Sequence, residues 1–112
     1  MSDKSSNEKA TRVFEALAHT KRREALRVLV RHGSATATGL AEELNLSRQA
    51  VAKHFGTLRR AGLVRSKRQG REIRFELLPE NLAVAHRWIA RLELEWEARL
   101  QLLKALVETV ER

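Results

Sequence analysis

Few residue types in this chain could do chemistry, and their spacing decides which of them does. There is no cysteine, so neither a disulfide framework nor a thiolate metal site can form. The four histidines, His19, His32, His54 and His86, are scattered and form no cluster. A glycine-rich phosphate loop, a nucleophilic serine elbow and a buried pair of carboxylates are all missing from the pattern, which sets catalysis aside. What remains is a largely polar and basic set: Ser47, Arg48, Gln49, small Ala52, Lys53 and His54, followed by Arg65, Lys67, Arg68 and Arg71. Short polar and cationic side chains of this kind hydrogen-bond to base edges and to phosphates.

The charge is confined to the same region. Of the formal net charge of +8, residues 1–46 carry +2, residues 47–74 carry +8 and residues 75–112 carry −2. One quarter of the chain thus holds the whole excess, as an electrostatic footprint for a polyanion does and an evenly solvated surface does not. At 112 residues the chain suffices for one domain with one modest core. The polar start MSDKSSNEKA is no signal peptide, and no apolar run reaches the ~18 residues of a membrane span, so a cytoplasmic protein is expected.

The elements that would carry this set follow from periodicity. Residues 2–8 lack apolar side chains, so residues 1–8 are expected to be flexible, with a single domain over residues 9–112. Val13, Phe14, Leu17 and Ala18 mark a first short helix. A second spans residues 21–32, with Thr20 as its cap, Ala25, Leu26, Val28, Leu29 and Val30 toward the core, and Gly33 past its end. Thr36 caps a third, which buries Leu40, Ala41 and Leu44, and Asn45 takes the left-handed turn. Ser47 caps a fourth, on which Val51, Phe55 and Leu58 form an apolar stripe apart from the side bearing Arg48, Gln49, Ala52, Lys53 and Gly56.

Two short helices joined by so tight a turn make a helix-turn-helix. LVRSK and EIRFEL are strands around RQGR, with Ile73, Phe75 and Leu77 alternating inward and Gly70 at the tip, a basic wing. Pro79 opens a last helix, about residues 79–111, where Leu82, Ala85, Ile89, Leu92, Trp96, Leu100, Leu103, Val107 and Val110 recur every three or four residues. The fold class is mainly α with a small β-hairpin wing.

LAHTKRREALRVL, GLAEELNLSRQAVAKHFGTLRRAGLV and RQGREIRFEL, followed by the long terminal helix, resemble the arsenic-repressor (ArsR) family of winged helix-turn-helix regulators over nearly the whole chain. SRQAVAKHFGTLRRAGLV is similar to that family's recognition helix and its lead into the wing. The resemblance implies a homodimeric repressor of double-stranded DNA operators, paired through its first and last helices. Its interface would hold Val13, Phe14, Leu17, Trp88, Leu92, Trp96, Leu100, Leu103 and Val107.

The first six residues of the set above would then serve the recognition helix, with Arg65, Lys67, Arg68, Arg71 and Thr36 on wing and backbone contacts. Arg48 matches guanine, Gln49 adenine, and Ser47 and Lys53 a phosphate or base edge. Small Ala52 lets the helix sit deep, and Gly56, which costs about 1 kcal/mol of helix stability relative to Ala, has close approach or an incidental surface position as alternative reasons. Lys21, Arg22 and Arg23 at a helix start have a phosphate or plain solvation as alternative partners.

The chain departs from the family's metal sensors. Their paired cysteines align with Thr36 and Thr38, whose hydroxyls are poor ligands for soft metals, and the only aspartate is Asp3. His86, Glu93 and Glu97 share a face of the last helix that reads as solvated, with a carboxylate-rich zinc site across a dimer as the alternative. No metal or cofactor is expected, and a small-molecule effector is left open. The competing reading is an interaction module that binds protein through the winged scaffold.

Overall fold

A computed structural model describes residues 2–111. In chain order the elements are α1 (Ser2–Leu17), α2 (Thr20–His32), β1 (Ser34–Thr36), α3 (Ala37–Leu44), α4 (Arg48–Arg60), β2 (Val64–Gln69), β3 (Glu72–Leu77) and α5 (Glu80–Glu111). Helix α1 starts at Ser2, so residues 2–8 are helical where a flexible segment was expected. No Gly or Pro interrupts the first 17 residues, and a helix nucleated by its packed end extends wherever nothing breaks it.

The helix-turn-helix is assembled by local chemistry. The Thr36 hydroxyl accepts the Gly39 amide at 3.0 Å and the Ser47 hydroxyl accepts the Ala50 amide at 3.0 Å, capping α3 and α4. Between them Asn45 takes φ 53°, the left-handed conformation that ends α3. The cap of α2 differs from expectation. His19 holds the cap position, and its Nδ1 accepts the Lys21 amide at 3.2 Å, while Thr20 is the first helical residue.

Leu40 and Leu44 of α3 and Val51, Phe55 and Leu58 of α4 point into one core, closed by Val13, Val28, Leu29, Leu63, Val64 and Phe75. The Phe55 and Phe75 rings lie 4.3 Å apart between centroids, joining α4 to the sheet. Val30, expected inside, is 68% exposed, because it follows Val28 and Leu29 around the helix and its direction leaves the buried arc.

The sheet is antiparallel in the order β1-β3-β2, with Ala35 opposite Phe75 and Val64 opposite Leu77. β1 is unannounced in the sequence. Gly70, with φ 65°, and Arg71 form the two-residue loop of the wing, a place where glycine suits the twist of a hairpin. Phe75 faces inward and Leu77 is half-buried, but Ile73 is exposed, because the wing extends past the core at that height.

After Pro79, whose carbonyl accepts the Leu82 and Ala83 amides, α5 runs for 32 residues. Its first half packs on α1, where Phe14 meets Trp88 edge to face at 5.6 Å. Past Ala90 every described residue of α5 is exposed.

Candidate nucleic-acid interface

Because α4 is anchored by Val51, Phe55 and Leu58, the opposite side is bare. Ser47, Arg48, Gln49, Ala52 and Lys53 are all exposed there. The helix has no acidic residue in its first turn, so its partial positive charge and the Arg48 guanidinium add together at one end. A Cβ placed on Gly56 would meet only the end of Arg60, at 3.4 Å, so the chain's own packing does not require a glycine there.

His54 departs from this set. Its ring lies against His19, 4.6 Å between centroids, and its Nδ1 is 3.4 Å from Arg22 Nη1. Burial, then the electrostatic influence of His19, Arg22 and Lys53, hold the imidazole pKa below its ordinary 6.5. A ring turned toward the start of α2 is engaged by the protein rather than presented with the polar side of α4.

The cations at the start of α2 are also engaged. Arg22 donates to the Ala16 carbonyl at 2.6 Å and to the Glu15 carbonyl at 3.1 Å, and Arg23 donates to the Leu17 carbonyl at 2.6 Å. Lys21 donates to the Leu44 carbonyl at 3.1 Å. These guanidinium and ammonium groups donate to carbonyls at the ends of α1 and α3, where helix dipoles favour cations. Neither a phosphate nor simple solvation is therefore needed to account for them.

The wing divides likewise. Arg65 is held by Glu76 on the neighbouring strand, with Nε and Nη2 at 2.8 and 2.6 Å from one carboxylate oxygen. Lys67, Arg68 and Arg71 are exposed and, among the described residues, pair with no carboxylate. Thr36 is half-buried with its oxygen committed to the α3 cap, which leaves its hydroxyl proton to offer. Two residues escaped the sequence reading: Thr38 and Glu72 form a hydrogen-bonded chain with Arg48, and no short-range pattern could have joined them.

The interface residues expected on the first and last helices also separate. Val13 is fully buried within its own core and Phe14 and Leu17 are half-buried, whereas Trp88, Leu92, Trp96, Leu100, Leu103 and Val107 are exposed. Val13 therefore supports α1 from behind and presents nothing to a partner. Among the described residues no three His, Asp or Glu side chains converge on a position that could hold a metal ion. None of the described helices is long and apolar enough to cross a membrane.

Comparison with known proteins places this geometry. Residues 12–67 match a helix-turn-helix domain family. An uncharacterized HTH-type transcriptional regulator of Mycobacterium tuberculosis is 31% identical over 96 residues, covering 82% of this chain and 84% of that protein. The arsenic resistance transcriptional regulator ArsR1 of Pseudomonas putida is 31% identical over 68 residues, 61% of this chain and 53% of its own. The solved structure of an ArsR-like transcriptional regulator from Rhodococcus sp. RHA1 superposes with a TM-score of 0.81 at 39% identity, covering 91% of this chain and 93% of that one. With its winged helix-turn-helix and these relatives, the chain belongs to the ArsR family of DNA-binding transcriptional regulators, which are not enzymes.

Proposed function

We propose that the protein is a homodimeric, sequence-specific repressor that acts in the cytoplasm on a partly palindromic operator. The carrying observation is the uncovered apolar length of α5. Trp88, Leu92, Trp96, Leu100, Leu103 and Val107 are between 42% and 61% exposed in the single chain. Apolar side chains repeated along one helix for that distance are stable in water when a second surface covers them. A second copy supplies the same stripe, with Phe14 and Leu17 of α1 beside it, and leaves α4 clear.

In each subunit α4 enters the major groove with Arg48 on guanine, Gln49 on adenine, Ser47 and Lys53 on phosphate or base edge, and Ala52 at the closest approach. Lys67, Arg68 and Arg71 lie along the adjoining phosphates, with the Thr36 hydroxyl as an added donor. Arg65, neutralised by Glu76, and His54, turned toward Arg22, serve the fold instead. The absence of cysteine argues against soft-metal induction, which leaves a small molecule, a partner or the protein's own concentration as the regulating signal.

Selection of duplexes from a random-sequence pool with the purified protein tests this reading. The expected product is a pair of inverted half-sites centred about one helical turn apart. Enrichment of no sequence would point to the scaffold as a protein-binding module.

A further inference from the structure

Arg48 is tied to the wing. Its Nη2 donates to the Thr38 hydroxyl at 3.2 Å, and that hydroxyl donates to Glu72 Oε1 at 2.8 Å. The three side chains come from the first turn of α4, the first turn of α3 and the start of β3. Ala37, Val51, Ala52, Arg71 and Ile73 line the same cleft. Glu72 is the only acidic residue in residues 47–74, and its Oε2 is buried without a hydrogen-bond partner. A carboxylate so placed repels phosphate and leaves one oxygen unsatisfied, both unfavourable.

The hydrogen-bond chain gives that carboxylate a use. A carboxylate only accepts, so the Thr38 proton points to Glu72 and the hydroxyl's lone pairs face Arg48. The direction of both bonds is thereby fixed. One Nη2 proton, the Nη1 protons and Nε–H of Arg48 stay free, enough for the two-point fork on guanine O6 and N7.

We infer that Thr38 and Glu72 are specificity-determining positioning residues, holding the Arg48 guanidinium at one place on the reading side of α4 so that base preference depends on a wing carboxylate that touches no base. This rests on Arg48 reading a base, as proposed above. Fixing the fork before contact lowers the ordering cost on the correct sequence and leaves phosphate contacts unaffected.

Dissociation constants on a duplex selected by the native protein and on a random-sequence duplex test the inference. Thr38→Val should lower discrimination between the two about tenfold, the size of one good base contact, and Thr38→Ser should restore it. Glu72→Ala should tighten binding to the random duplex while lowering discrimination. In an Arg48→Ala background, Thr38→Val should cause no further loss, because the fork it holds is gone. Native discrimination in Thr38→Val, or additive losses in the double variant, overturns the positioning role. If Thr38→Val does not fold, unchanged discrimination in Glu72→Ala overturns it equally. Equal losses on both duplexes in Arg48→Ala would instead overturn the base-reading role beneath it.

Discussion

Arg48 and Gln49 stand exposed on the first turn of α4, while Val51, two residues on, is buried. A change at either polar residue can therefore alter recognition with little effect on packing. Arg48→Ala or Gln49→Ala should each cost about 1–3 kcal/mol on the selected operator and relax preference at one position per half-site, measured by competition with single-base variants. Equal weakening on random duplex would remove the base-reading role. His54 is proposed to act on stability instead. Its folded pKa is depressed below 6.5, so the unfolded chain binds the proton more readily, and folding stability must fall as pH drops through and below about 6.5. The facing groups are His19, Arg22 and Lys53, all adding to the repulsion. The native melting temperature should decline between pH 7.5 and pH 5.5 relative to its value in His54→Gln, and parallel curves for the two proteins would show that the ring does not titrate against the fold.

Among the elements, the wing is anchored to the core by Val64 and Phe75, pairs Arg65 with Glu76 across its own strands, and leaves Lys67, Arg68 and Arg71 outward. Arg68→Ala or Arg71→Ala should weaken all duplexes alike and lower the salt slope of binding by about one for every phosphate that a subunit no longer neutralises. An unchanged slope would take the wing out of the interface. The parts of this architecture that the sequence announces are those built from neighbours: the Thr36 and Ser47 caps, the left-handed Asn45, and the stripe Val51, Phe55, Leu58. The parts it conceals are made at a distance. Residues 34–36 become a strand only by pairing with residues 74–76, and Thr38 meets Glu72 across 34 positions. The basic run Lys21, Arg22, Arg23 conceals its role for another reason, since each of the three reaches a backbone carbonyl, an acceptor that every sequence possesses. Charge alone could not distinguish Arg65, paired across the strands, from Arg68, which stands free of carboxylates among the described residues.

As a whole the molecule is extended, 73 × 32 × 21 Å, with a radius of gyration of 19.6 Å. A compact chain of this length would have about 13 Å, and α5, reaching beyond the domain, accounts for the excess. A helix that projects with Leu100, Leu103 and Val107 uncovered supports the proposed two-fold pairing, which would set two α4 helices roughly 34 Å apart, one turn of duplex. Operator recognition and self-association are then one property, because a single α4 contributes only half of the sequence information. In the proposed interface Leu103→Glu would bury an unpaired charge without touching residues 47–74. Sedimentation equilibrium of the native protein and of Leu103→Glu at micromolar concentration, with operator binding measured on the same samples, tests the account most directly. A native dimer that binds the operator, beside a folded Leu103→Glu monomer that has lost specific binding and keeps only salt-sensitive non-specific binding, is the predicted result. A native monomer that binds the complete operator at full affinity would contradict it.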